Sequence, residues 1–337
     1  MSDKTILKAG IIGAGLMGRW HANALKNSGA CLKAVVDPDL KRAKLLAVKH
    51  VNAEPFSDIE PMLNKGDLDV LHICTPLSTH KNIAERAIRA GINLIIEKPL
   101  TPTALEAEYL FDLAEEHDVL ICPVHQFIFQ NGARKALKGL SGIGRLIYIK
   151  GTFCSAGASG EPLERMDAIV QDILPHPLSL MQAFLPKGIS QAEWTALRPG
   201  DGELLAIGGI NGVSLSVFIS LNARPTECSL LVAGTEGTIH IDMFHGFSFI
   251  ESGRVSRIRK IIRPFSLAIQ MFSAAALNLS RRVIQGEFAY PGLRQLIDSF
   301  YAAVRCNADS PISKTDTIAV AQARDILARP GFGGGYP

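Results

Sequence analysis

The stretch Lys8-Ala9-Gly10-Ile11-Ile12-Gly13-Ala14-Gly15-Leu16-Met17-Gly18 decides how this sequence is read. The apolar run from Ile6 to Ile12 has the character of a buried parallel strand. Gly13-x-Gly15-x-x-Gly18 then opens a helix expected to reach about Asn27. Gly13 permits a tight turn, and Gly15 lets a pyrophosphate approach the backbone with no Cβ in the way. Gly18 is expected to let the helix pack closely on the strand. The unpaired amides of the first helical turn, with Leu16 and Met17 at its start, face a phosphate with the helix dipole behind them. The next apolar run, Cys31 to Val36, ends at Asp37. It stands about 20 residues beyond the last glycine, the offset of a carboxylate that binds the adenosine ribose hydroxyls.

These positions point to a dinucleotide. Asp37 repels a 2′-phosphate and Pro38 offers no N–H to hold one, so NAD is preferred over NADP. Lys41 and Arg42 are the residues that favour NADP; they are read here as the solvated face of the following helix.

The alternation continues through the first 123 residues. A helix to about His50, a turn around Pro55 and a short helix from Ile59 to Lys65 lead to a strand at Val70–Cys74, which ends at Thr75-Pro76. A helix from Ser78 to Ala90 leads to a strand at Ile92–Ile96 and then Glu97-Lys98-Pro99. Thr103 caps a helix to about His117, and Val119–Val124 is a fifth strand. Such alternation predicts a doubly wound parallel sheet with its ligand crevice at the carboxyl ends of the strands. Thr75, Pro76, Glu97, Lys98 and Gln126 lie at or just beyond such ends, and His80 follows closely.

Beyond about residue 145 the pattern becomes short β-rich runs: 146–153, 191–197, 204–207, 213–221, 228–232 and 238–241. Gly208-Gly209, Asn211-Gly212 and Gly234-Thr235-Glu236-Gly237 are read as turns between them. A crossover helix is expected from about Ala168 to Phe184, and a final helix from Asp316 to Ala328. The fold class is therefore an α/β Rossmann domain, 1–123, followed by an α+β domain with an open, mostly antiparallel sheet, 124–337. The final helix is expected to pack back near the first domain. A length of 337 residues suits two domains.

Composition narrows the class further. A net charge of +3, with basic residues spread along the chain, argues against nucleic acid as a partner. Six cysteines without C-x-x-C spacing are read as reduced thiols of a cytoplasmic protein, not as a disulfide frame or a zinc site. No apolar stretch follows a basic region near the N-terminus, so no signal peptide is read there.

The chain resembles the Gfo/Idh/MocA-type NAD(P)-dependent oxidoreductases over nearly its whole length. The resemblance is carried by Gly13-x-Gly15-x-x-Gly18, Cys74-Thr75-Pro76 with His80, Glu97-Lys98-Pro99, Ile143-Gly144-Arg145-Leu146 and Asp172-x-x-x-His176. It implies a Rossmann domain followed by an open-faced sheet that bears substrate and often mediates oligomerisation. It also implies oxidation of a secondary alcohol, or reduction of the ketone, on a sugar, cyclitol or nucleotide sugar. A homo-oligomer, dimer or tetramer, is expected.

The chemistry can be reasoned from the residues. Taking hydride from a secondary alcohol requires its proton to leave, and the developing alkoxide needs a cation or donor beside it. Lys98 supplies that charge at the end of the fourth predicted strand. His176 is the preferred acid/base, because imidazole titrates near neutral pH. Asp172, one turn earlier on a helix, either orients the imidazole or binds substrate hydroxyls. Pro175 and Pro177 flank His176 and are expected to interrupt or bend that helix. Two such residues do not make a metal site. Gln126 is a candidate partner of nicotinamide or substrate, and the segment 155–160 is a candidate closing loop. Cofactor-binding candidates are thus Gly13, Gly15, Leu16, Met17, Gly18, Asp37, Thr75, Pro76, His80, Glu97, Lys98 and Gln126.

One segment stands outside this scheme. Arg254, Arg257, Arg259, Lys260 and Arg263 precede an uncharged run from Pro264 to Ser280, and Arg281 and Arg282 follow it. It is too short and too polar for a membrane span. The preferred reading is a helix packed against the sheet or a subunit partner with its basic ends in water, with no membrane among the partners. Lying flat on an anionic membrane and binding a nucleotide-sugar diphosphate are the alternatives. At the level of the whole chain, the alternative to an enzyme is a dinucleotide-sensing protein without turnover.

Overall fold

The computed structural model describes residues 6–26, 28–155, 160–185, 188–254, 256–286 and 289–328. The candidate closing loop lies mostly outside these residues, as does the C-terminal tail.

The N-terminal part alternates strand and helix: β1 (Leu7–Ile12), α1 (Leu16–Leu25), β2 (Ala30–Val36), α2 (Leu40–Ala47), β3 (Glu54–Phe56), α3 (Ile59–Leu63), β4 (Val70–Ile73), α4 (Leu77–Arg89), β5 (Asn93–Ile96), α5 (Ala104–Glu116) and β6 (Ile121–Pro123). The strands form one parallel sheet in the order β3-β2-β1-β4-β5-β6. The order reverses direction between β1 and β4, which is where a doubly wound sheet opens its crevice. β4 is buried throughout, as befits a central strand with helices on both faces. β3 replaces the turn expected around Pro55. Proline survives there because the strand is at the sheet edge, where its missing N–H breaks no ladder.

The remainder begins with α6 (Asn131–Lys138), β7 (Leu146–Cys154), α7 (Leu163–Ile173) and α8 (Pro175–Phe184). It continues with β8 (Thr195–Leu197), β9 (Glu203–Ile210), β10 (Val213–Ser220), β11 (Glu227–Gly234), β12 (Gly237–Asp242), β13 (Phe247–Ser252) and α9 (Arg257–Gln285). Last come α10 (Leu293–Cys306) and α11 (Lys314–Ala328). The second sheet runs β13-β12-β11-β7-β10-β9-β8, antiparallel except for the β7–β10 pair. Asn211-Gly212 makes the β9–β10 hairpin turn, with φ of 51° and 77°. Gly208-Gly209, by contrast, is not a turn but lies within β9. A Cβ on Gly208 would stand 2.8 Å from the Trp194 ring, so the glycine makes room for the indole.

The chain divides into two compact units, Met1–Val124 with Leu293–Ile318, and His125–Gly292 with Ala319–Pro337. This differs from the contiguous division expected. Residues 293–318 return to the first unit because α10 buries Leu296, Ile297, Phe300 and Tyr301, and packs on α1. The final helix is divided: Lys314–Ile318 belong to the first unit, where Lys314 pairs with Asp112 and Glu115, while Val320, Ala323 and Leu327 of α11 belong to the core of the second unit. Alanine and aliphatic side chains three or four positions apart form the stripe that this core takes in.

α9 lies against β13 of the sheet, as expected, but is not buried there. It is 29 residues long, takes in the arginines on both sides of the uncharged run, and buries no residue. Ser256 caps it by accepting from Arg259 N (3.1 Å), and Gly286 ends it with φ of 64°. Its inner side, with Leu267 and Met271, borders a cavity of about 550 Å³ whose other wall includes Leu231, His240 and Phe249 of the sheet.

Candidate active site

In the first unit, Gly13 N donates to Val36 O (2.8 Å) and Cys74 N to Ile12 O (2.8 Å), so the loops after β1, β2 and β4 are stitched together at the switch point. Gly13 has φ of 94°, and a Cβ there would meet Cys74 O at 2.4 Å. Only glycine fits so close to the neighbouring loop. A Cβ on Gly15 would meet nothing within 4 Å, so this backbone is open to a ligand. On Gly18 a Cβ would stand 1.8 Å from Gly13 O and 3.4 Å from Ile11 Cγ2. The turn's own carbonyl, more than the strand side chain, therefore demands the third glycine. Leu16 and Met17 begin α1 directly behind this loop, and Leu16 is exposed.

Asp37 is buried at the end of β2, where its Oδ2 accepts from Ala14 N (2.8 Å) and its Oδ1 from Asp39 N (2.9 Å). The carboxylate thus braces the glycine loop as well as offering its remaining lone pairs. The loop, its open glycine and this carboxylate fit a dinucleotide: α1 would hold the pyrophosphate on its N-terminal amides and Asp37 the ribose.

Thr75 and Pro76 follow β4, and Thr79 Oγ1 donates to Pro76 O (2.7 Å) and lies 2.8 Å from Thr75 Oγ1. His80 is buried, its Nε2 2.8 Å from Thr75 O and its Nδ1 3.0 Å from Pro99 O. Both ring nitrogens engage the main chain, so this ring braces the loop after β4 against the one after β5. Burial, with the charge of Glu97 beside it, holds the Cys74 thiol well above its ordinary pKa and keeps it from acting as a nucleophile.

Lys98 is half-buried beyond β5, at a cis Lys98–Pro99 peptide. Its neighbour Glu97 turns inward: Oε2 accepts from Lys98 N (3.2 Å), and Oε1 lies 3.1 Å from His21 Nε2. His21 Nδ1 lies 2.8 Å from His72 Nδ1, and His72 Nε2 lies 2.9 Å from Tyr301 OH. Burial drives the His72 pKa well down and that of Tyr301 well up, so the one is neutral imidazole and the other phenol. Neutral His72 has one N–H and one lone pair, so it donates at one end and accepts at the other, linking Tyr301 through His21 to Glu97. Sequence reasoning missed this chain. His21, His72 and Tyr301 each sit inside a regular element, and no spacing announces their meeting.

In the second unit, Gln126 is buried in a 3₁₀ turn, Gln126–Phe129. His176 is half-buried near the start of α8 and stacks on Phe127, with centroids 4.5 Å apart and planes 21° from parallel. Asp172 is exposed in the last turn of α7. The crossover is therefore two helices broken at Leu174, because Pro175 and Pro177 have no N–H to continue the ladder. Lys98 belongs to the first unit, and Asp172, His176 and Gln126 to the second.

A parallel sheet with a glycine-loop crevice at its switch point defines the first unit as a dinucleotide-binding domain of the Rossmann class. Residues 7–125 match the GFO_IDH_MocA oxidoreductase family, NAD-binding Rossmann fold. Among curated relatives, inositol 2-dehydrogenase 4 of Saccharopolyspora erythraea is 41% identical over 98 residues, 28% of this chain and 29% of the relative. UDP-N-acetylglucosamine 3-dehydrogenase of Acidithiobacillus ferrooxidans is 33% identical over 119 residues, 35% and 37% of the two chains. These matches span about a third of the curated relatives' length. The solved WlbA dehydrogenase of Bordetella pertussis, in complex with NADH and UDP-GlcNAcA, superposes with a TM-score of 0.76 over 96% of each chain at 17% identity, a likeness of fold.

Proposed function

We propose that this protein is an NAD-dependent oxidoreductase that moves hydride between nicotinamide and a secondary alcohol or ketone of a sugar, cyclitol or nucleotide sugar. The observation that carries the reading is the pairing, in one unit, of a glycine loop braced by Asp37 with Lys98 presented at the end of β5. The hydroxyl-rich substrates named for the inositol and UDP-N-acetylglucosamine dehydrogenases support the substrate class.

When bound, NAD supplies the hydride acceptor, and the protein handles the proton. The Lys98 ammonium lowers the cost of negative charge on the substrate oxygen as its proton leaves. His176 accepts that proton through an imidazole, and Asp172 holds neighbouring hydroxyls. Reduction uses the same groups in reverse. Asp37, a fixed anion at the ribose, favours NAD over NADP. A homo-oligomeric, cytoplasmic enzyme is the corresponding setting.

The test is turnover with NAD and a panel of sugars, cyclitols and nucleotide sugars, followed by the near-ultraviolet absorbance of reduced nicotinamide, in wild type and in Lys98→Ala and His176→Ala. Turnover lost in either variant while NAD binding persists is the expected result. NAD binding without turnover, in both directions and across the panel, transfers the protein to the sensor class.

A further inference from the structure

α9 presents an apolar stripe to solvent. Ile258, Ile261, Phe265, Ile269, Phe272 and Leu279 recur at intervals of three and four or their sum, and each is between 64% and 74% exposed. That spacing puts all six on one side of the helix. The opposite side, with Leu267 and Met271, faces the sheet. The stripe therefore points away from its own unit, and at 1.5 Å per residue it is roughly 30 Å long from Ile258 to Leu279.

Charge says what can cover it. Residues 254–286 carry seven basic side chains and no carboxylate. Arg263 pairs with Glu251, and the segment as a whole stays strongly basic. A second copy of the same helix would bring like charges together. An anionic bilayer offers the complement: acyl chains for the stripe and phosphates for the arginines at both ends. No helix among the described residues is long and apolar enough to cross a membrane, so α9 would lie in the plane of the surface.

We propose that α9 docks this protein on an anionic lipid surface, its apolar stripe sunk to the acyl boundary and its arginines on lipid phosphates. This reverses the sequence-based preference for a partner other than the membrane. It does not depend on the proposed reaction.

The experiment is flotation of the full chain with phosphatidylcholine vesicles, with and without phosphatidylglycerol, for wild type, Phe265→Gln/Phe272→Gln and Arg257→Gln/Arg259→Gln/Lys260→Gln. Wild type is expected to float with phosphatidylglycerol vesicles and not with phosphatidylcholine alone. The double variant should bind weaker by roughly a hundredfold, and the triple variant should lose its response to phosphatidylglycerol. Thermal melts of each variant matching wild type show that folding is retained, as expected for exposed positions. No flotation of wild type, or equal flotation of the Phe variant, overturns the proposal. So does light scattering that finds a wild-type dimer which the Phe variant dissociates, for the stripe would then be covered by a second copy.

Discussion

His21 Nδ1 and His72 Nδ1 face each other across 2.8 Å in the interior of the first unit, the middle link between Tyr301 and the Glu97 that precedes Lys98. Burial depresses the His72 pKa, so the native state refuses a proton that the unfolded chain accepts below about pH 6.5. Stability should thus be constant above that value and decline as pH falls beneath it, continuing down toward the native pKa. Thermal melts between neutral and mildly acidic pH will show a decline that His72→Phe reduces.

Tyr301→Phe removes the hydroxyl that partners His72 Nε2 and leaves that nitrogen buried. The expected cost is about 1–3 kcal/mol, measured by urea unfolding. The same variant should lower turnover if the chain through His21 holds Glu97 in place, and NAD affinity should be less affected.

Gly15→Ala and Gly18→Ala separate two tasks of one loop. Gly15 has open space around it, so alanine there should change stability by about 0.5 kcal/mol or less while blocking the approach of a pyrophosphate. At Gly18 the new Cβ would collide with Gly13 O, so both stability and NAD binding should fall. Melting and NAD titration of the two proteins will distinguish them.

Asp37→Ser keeps a hydrogen-bonding side chain and removes the charge. NAD affinity should fall by roughly ten- to a hundredfold, the worth of a charged hydrogen bond, and NADP affinity should fall less or rise. Calorimetric titration with both cofactors checks the ratio.

Gly208→Ala forces a methyl group against the Trp194 indole. Overpacking of this kind costs about 1–3 kcal/mol. The loss should appear as a lower unfolding midpoint followed by Trp fluorescence, since the chain has only two tryptophans.

Local pattern was enough for the Rossmann alternation, the glycine loop, Asp37 at the end of β2 and the Asn211-Gly212 hairpin. In each of these a buried strand or a required backbone angle restricts the choice of residue within a few positions. The helix break at Leu174 was legible for the same reason, since proline states its constraint at its own position. What sequence could not reveal was every feature that depends on distant partners. Gly208 read as a turn because its partner, Trp194, lies on no predictable neighbour. β3 read as a turn because only its place at the sheet edge makes Pro55 tolerable. Residues 293–318 read as part of the second domain because their destination is a surface of α1. The buried chain from Tyr301 to Glu97 joins residues far apart in sequence, and α9's outward stripe looked like a core-facing one. A sequence states which side of a helix is apolar. Whether that side meets a core or solvent depends on how the rest of the chain packs around it.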